Sequence, residues 1–306
     1  MTPTVCVDVR GDDAGRWRAA LAAALPDARF VDDAAEVDYV IAWRPRAETF
    51  ARTRVRKAIF NLGAGVDALL AIDTLPRAVP VYRLCDAGMG EQMAEYAVAA
   101  TLRAYRELPA YAAAQAQARW APRERIPKSD FGVAVLGLGM LGRAVIEALR
   151  PFGFPLHGYA RTPCVMDGVT VHAGEHALRT CLAHARVCIC LLPSTSATRD
   201  VFDRRRLAWL PRGAHLVNVA RGDLVVEADL LHALDSGQLE SATLDVFREE
   251  PLPASHAFWH HPRITITPHV SAVTLVDRSV EQVAAGIRSI EAGREPPGRV
   301  DRAQGY

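Results

Sequence analysis

The stretch VAVLGLGMLGRAVIEAL, Val133 to Leu149, limits the possible folds more than any other part of the chain. An apolar run ends in Gly137, a helical pattern opens after Gly139, and Gly142 falls within the first helical turn. The three glycines fit G-x-G-x-x-G, and FPLHGYA supplies a second strand within about thirty residues. The first glycine permits the tight turn, the second lets a pyrophosphate approach the backbone, and the third lets helix and strand pack closely. Phosphates would sit on the amides of Met140 and Leu141, where free N–H groups and the helix dipole favour an anion. The alternative is a tight turn that binds nothing.

In such a unit the second strand usually ends in an acid that accepts hydrogen bonds from the adenosine ribose. Here it ends in Arg161. A guanidinium can clamp a 2′-phosphate, and the hydroxyl of Thr162 can add a bond. The reversal of sign predicts NADP(H), with NAD(H) bound more weakly. A solvated arginine stacked on adenine would discriminate little.

The rest of the chain repeats the same alternation. Strands are predicted at Thr4–Val9, Asp38–Trp43 and Lys57–Gly63, with a helix over Gly15–Leu25. After the glycine unit begins, strands are expected at 131–136, 155–160, 187–192, 214–219, 240–244 and 264–267. Helices are expected at 140–150, 175–184, 203–209 and 227–235, the last stopped by Gly237. Between the two series, EQMAEYAVAATLRAYRELPAY reads as one long helix from Glu91. A basic arm containing Trp120 and two prolines follows it. Helical pattern returns after His269. Strands alternating with helices indicate an α/β fold: two Rossmann-like, doubly wound parallel sheets separated by a cleft.

Composition excludes several function classes. The 306 residues carry a formal charge of +1, which gives no footprint for nucleic acid or an acidic surface. Apolar runs such as VCICLLP are strand-sized, far short of a membrane span. The N-terminus lacks a basic segment followed by an apolar one, so a cytoplasmic location is expected. Cys6, Cys85, Cys164, Cys181, Cys188 and Cys190 are scattered without a CxxC pair and read as small buried hydrophobes, so no metal is expected.

Three successive strands end in residues suited to chemistry. Arg221 follows one, Asp245, Glu249 and Glu250 the next, and His269 the third. Ligands of open α/β sheets bind beyond the carboxyl ends of strands. An arginine can hold a carboxylate and polarise a carbonyl, a histidine can protonate a nascent alkoxide, and a carboxylate beside it favours the imidazolium. Taken singly, each has a plainer reading: an Arg221–Asp245 pair, solvated glutamates, and a loop histidine. Their shared position behind a dinucleotide turn favours the chemistry.

NLGAGVD, GMGEQMAEYAV, GLGMLG, NVARG, ADLLHALDSGQL, LDVFREEPLP, TPHVSAVT and VDRAQGY together resemble the D-isomer-specific 2-hydroxyacid dehydrogenases. Within that family the chain is most similar to the bacterial glyoxylate/hydroxypyruvate reductase A type. The resemblance implies NADPH-dependent reduction of small 2-keto acids, glyoxylate to glycolate and hydroxypyruvate to D-glycerate. It implies Arg221 as the substrate-binding arginine, His269 as proton donor and Glu250 as its partner. It also implies a flavodoxin-like substrate domain, 1–98 plus 273–306, and an NADP-binding Rossmann domain, 99–272. Amides around Gly63, Ala64 and Gly65 would hold the substrate carboxylate, and Trp43 would line its pocket or pack in the core. Pro193, Thr198, Val219, Ala220 and Asp245 would join the cofactor contacts. The family usually dimerises through cofactor domains, and here the long helix and the Trp120 arm would supply the contact. Two departures stand out: Arg161 replaces the acid many members keep, and VSAVT replaces a glycine-rich sequence. The alternatives are an NAD(P)-dependent dehydrogenase of another D-2-hydroxy acid, or a nucleotide-sensing corepressor.

Overall fold

The computed structural model describes residues 2–11, 14–32, 34–174 and 176–306. The chain separates into two compact units, Met1–Met89 with Thr274–Tyr306, and Gly90–Val273. In the first, β1 (Thr4–Val9), α1 (Ala14–Ala24), β2 (Arg29–Val31), β3 (Glu36–Trp43), α2 (Ala47–Arg52), β4 (Arg54–Asn61), α3 (Asp67–Leu70) and β5 (Val81–Arg83) alternate. The sheet runs β2-β1-β3-β4-β5 with every pairing parallel. Six consecutive residues of β3, Val37 to Ala42, are buried, as a central parallel strand covered on both faces requires.

The second unit contains α4 (Met89–Tyr105), α5 (Leu108–Ala116), β6 (Val133–Leu136), α6 (Met140–Leu149), β7 (Leu156–Ala160), β8 (Val169–Ala173) and α7 (Ala177–Ala183). It continues with β9 (Val187–Cys190), α8 (Arg204–Leu207), β10 (Ala214–Asn218), α9 (Glu227–Asp235), β11 (Leu239–Leu244) and β12 (Ile264–Ile266). Its seven-stranded sheet runs β12-β11-β10-β9-β6-β7-β8, also parallel throughout. Strand order reverses between β6 and β9, the crevice where doubly wound sheets bind dinucleotides. On α6, Val145, Ile146 and Leu149 are wholly buried, each worth about 1.5–3 kcal/mol relative to exposure. Aromatic rings fix α4 on this unit: Tyr105 meets Phe131 and Phe154 edge-on, with centroids 5.0 and 5.1 Å apart.

The chain then returns to the first unit as α10 (Val276–Glu291). Glu291 receives the Tyr39 hydroxyl at 2.5 Å and the Lys57 ammonium at 2.6 Å. The tail runs along β5, with the Val300 amide bonded to the Val81 carbonyl at 2.9 Å. No helix among the described residues is long and apolar enough to cross a membrane.

The structure corrects several expectations. The single helix from Glu91 is two, broken where Glu107 takes a left-handed φ of 52°, with a proline in the first turn of α5. Proline suits that position because it has no N–H to leave unpaired. The strands β2, β5 and β8 escaped the sequence reading. Glu175, first residue of the helix expected at 175–184, lies outside the described residues. Of the cysteines, Cys6, Cys181, Cys188 and Cys190 are buried, while Cys85 and Cys164 are only half-buried.

Candidate active site

The glycine turn is shaped by close approach. Gly137 has φ 102°, and a Cβ there would lie 2.7 Å from the Leu191 carbonyl oxygen. A Cβ on Gly142 would lie 1.9 Å from the Gly137 carbonyl oxygen. Gly139 differs, since a Cβ built there meets nothing within 4 Å. The fold itself therefore demands the first and third glycines, whereas the second borders open space at the N-terminus of α6. That open cradle, with half-exposed Met140 beside it, fits a dinucleotide pyrophosphate lying against the backbone. Leu141, the next residue along α6, is only partly exposed. Arg161 and Thr162 are exposed immediately after β7, which pairs with β6. The Gly137 amide bonds to the Tyr159 carbonyl at 2.9 Å, so the end of β7 lies beside the turn.

Pro193 and Thr198 follow β9, the other neighbour of β6. The Thr198 hydroxyl bonds to the Pro193 carbonyl at 2.6 Å and accepts the Thr195 amide at 2.9 Å, closing the loop on itself. Val219 and Ala220 are buried after β10. Asn218 was not singled out from sequence, yet it is wholly buried and shapes the turn that carries Arg221. Its side chain accepts the Ala220 amide at 3.2 Å and donates to the Arg221 carbonyl at 2.8 Å. The Arg221 guanidinium donates to the Ala220 carbonyl at 2.7 Å. Gly222 lets the next loop abut this one, because a Cβ there would lie 1.9 Å from the Phe247 carbonyl carbon.

His269 sits in a turn with φ 56°. Its Nδ1 is 2.7 Å from Glu250 Oε2, and the other Glu250 oxygen accepts the Phe247 amide at 3.0 Å. Burial alone would raise the Glu250 carboxyl. The His269 bond, the Phe247 amide and the charges of His269 and Arg221 outweigh it and hold the carboxyl below the usual range. Glu250 is therefore a carboxylate at neutral pH, and Glu250 rather than Glu249 meets the imidazole.

Asp245, for which a cofactor contact is expected, follows the end of β11. It is fully buried, and its oxygens accept the Thr267 hydroxyl at 2.6 Å and the amides of Val270 and Ser271 at 2.8 Å each. Its carbonyl takes the His269 amide at 2.8 Å. The carboxylate thus organises the turn that presents the histidine.

The second unit therefore brings together Arg221, Glu250 and His269. In the first unit, Trp43 lies against the 63–65 loop, since a Cβ on Gly63 would be 2.5 Å from the indole ring. Asn61 donates to the carbonyls of Gly63 at 3.1 Å and Gly65 at 2.9 Å, fixing the loop around Ala64.

Residues 98–271 match the family described as D-isomer specific 2-hydroxyacid dehydrogenase, NAD binding domain. Glyoxylate/hydroxypyruvate reductase A of Yersinia enterocolitica is 43% identical over 303 residues, covering 96% of this chain and 97% of that protein. The protein of that name from Serratia proteamaculans has the same identity and coverage, 43% over 96% and 97%. Among solved structures, a D-isomer specific 2-hydroxyacid dehydrogenase from Xanthobacter autotrophicus, in complex with NADPH and MES, superposes with TM-score 0.94 at 38% identity over 100% of both chains. An NADPH-dependent glyoxylate/hydroxypyruvate reductase from Sinorhizobium meliloti, in complex with NADP and sulfate, gives TM-score 0.92 at 32% identity over 100% of both. The chain belongs to the D-isomer specific 2-hydroxyacid dehydrogenase family.

Proposed function

We propose that this protein is an NADPH-dependent reductase of small 2-keto acids, glyoxylate and hydroxypyruvate being the substrates its relatives' names point to. The observation that carries the reading is the His269–Glu250 pair at 2.7 Å, with the Arg221 charge acting on the same carboxylate. Glu250 occupies Nδ1 and so leaves Nε2 as the imidazole's working face. From there His269 protonates the substrate carbonyl oxygen, and Arg221 binds the carboxylate and polarises the C=O. NADPH, when bound, supplies the hydride to the carbonyl carbon. Gly137, Gly139, Met140, Leu141 and Gly142 would hold its pyrophosphate, Arg161 and Thr162 its 2′-phosphate, and Pro193, Thr198, Val219, Ala220 and Asp245 would flank it. The first unit is assigned the substrate-binding share, through Trp43 and the amides of Gly63, Ala64 and Gly65; the second is the cofactor domain. The chain works as a homodimer in the cytoplasm.

Steady-state assays with both cofactors test the reading. NADPH oxidation should depend on glyoxylate or hydroxypyruvate. Arg161→Asp should cost about tenfold to 100-fold in NADPH affinity, the worth of a charge-assisted bond, and shift preference to NADH. Binding of NADPH without turnover of any small keto acid would overturn the assignment, and unchanged cofactor preference would overturn the phosphate clamp.

A further inference from the structure

The loops after β9, β10 and β11 are tied by side chains to which the chemistry above assigns no work. Asp223 is at their centre. The Ser194 hydroxyl donates to its Oδ2 at 2.6 Å, and the Arg199 guanidinium lies 3.1 Å from the same oxygen. Both donors stand on the loop that carries Pro193 and Thr198. Asp223 itself stands in the short turn Gly222–Leu224, whose preceding residue is Arg221. Backbone bonds repeat the connection, from the Asp200 amide to the Asp223 carbonyl and from the Phe202 amide to the Leu224 carbonyl, each 2.9 Å. Arg248 closes the third side. It donates to the Asp223 carbonyl at 3.3 Å and to the Val225 carbonyl at 2.9 Å from Nε and 2.6 Å from Nη2, and it pairs with Asp200.

The acid at this joint is only partly satisfied. Its second oxygen, Oδ1, is shut off from solvent without a hydrogen-bond partner. Leaving one carboxylate oxygen without a partner is costly, so this acid stabilises the joint less than a fully bonded one would. What a carboxylate adds is direction: one oxygen fixes a hydroxyl and a guanidinium from the cofactor side against the turn bearing the substrate cation.

We propose that Asp223 is a positioning residue for the reduction, locking the loop that flanks the cofactor to the turn that carries Arg221. This rests on the reading that Arg221 binds the keto-acid carboxylate and that residues 193–198 flank NADPH. Ordering either side then orders the other, so the two ligands bind cooperatively and reciprocally. The partner of the effect is the small anionic keto acid itself, sensed jointly with the cofactor.

Calorimetry on the full chain tests this with NADPH and oxamate, an unreactive analogue of glyoxylate. In the wild type, saturating NADPH should tighten oxamate binding. In Asp223→Ala that tightening should disappear, and the KM for glyoxylate should rise about tenfold or more, since small misplacements of binding groups are costly. Asp223→Asn keeps an acceptor for Ser194 and should recover part of both effects. Ser194→Ala should weaken the coupling, and combined with Asp223→Ala it should add almost nothing further. Should Asp223→Ala fail to fold, Ser194→Ala and Asp223→Asn carry the test. Loss of thermal stability alone, with KM and coupling within about twofold of wild type, overturns the proposal, since a purely structural acid would behave so. So does a wild type whose ligands bind independently. A wild type that binds both ligands cooperatively but reduces no keto acid overturns the proposed function and leaves the lock standing.

Discussion

His269 is held with a left-handed backbone that costs a non-glycine residue on the order of 1–3 kcal/mol. The turn persists because Asp245 bonds it through its carbonyl and both carboxylate oxygens. Backbone strain spent on orienting one imidazole argues that its direction matters, and turnover should depend on it accordingly. His269→Ala should lower kcat by about 100-fold to 10,000-fold, the usual worth of a general acid, with NADPH affinity nearly unchanged. Rapid-mixing measurement of the chemical step, alongside a cofactor titration, checks both halves; near-normal turnover would remove the histidine from the reaction. That Arg221, His269 and an acid after β11 would be neighbours was legible in the sequence because strand ends in parallel sheets converge, whereas the choice of Glu250 over Glu249 came from the family resemblance. The work of Asp245 was not legible. It depends on the conformation of a turn contributed by a different strand, which no local pattern encodes.

The element that positions everything else is the β6–turn–α6 unit, and its glycines separate into two kinds. Gly142→Ala drives a methyl group to within 1.9 Å of a backbone carbonyl, so helix and strand must part. The variant should lose roughly 1–3 kcal/mol or more, as overpacked cores do, visible as a lowered Tm without ligand. Gly139→Ala meets no protein atom and has an ordinary φ of -70°, so its Tm should stay near wild type while NADPH affinity falls. A Gly139→Ala protein that bound NADPH normally would separate the open cradle from the cofactor. Long, periodic elements such as α10 and the buried strands were readable because their burial leaves a continuous apolar signature. The strands β2 and β5 have three residues each, too few to show a period, and lie at the sheet's two edges. The helix break at Glu107 was hidden because alanine-rich sequence continues across it and the left-handed turn falls on an ordinary residue.

Across the whole chain, alternation of strands and helices made two parallel sheets legible, while strand order became visible only in the structure: β2-β1-β3-β4-β5 in one unit and a reversal between β6 and β9 in the other. The surfaces that the fold leaves uncovered are equally informative. In the second unit, Trp120 is 98% exposed, with Leu108 at 49% and Tyr111 at 39% nearby in sequence on α5. Tyr111, Ala114, Gln115, Ala118 and Arg119 line a cavity of about 510 Å³ that Trp120 also borders. Exposed aromatic rings on one arm suit the proposed dimer contact, because burying each against a partner gains apolar area that a monomer forgoes. The Tyr111 hydroxyl accepts the Arg123 amide at 3.2 Å and Arg123 pairs with Glu107, so the arm is tied to its own helix and presents a shaped surface. In the homodimer proposed above, a second copy of the chain would cover this surface. Trp120→Glu should therefore shift the protein from dimer to monomer in sedimentation velocity, since a charge placed in an apolar contact is left desolvated and unpaired. An interface of standard size buries about 1,600 Å², so a single central charge suffices to open it only if the indole lies near its middle. A Trp120→Glu protein that sediments as a dimer like the wild type would put the indole outside the centre of the contact, and a monomeric wild type would overturn the dimer.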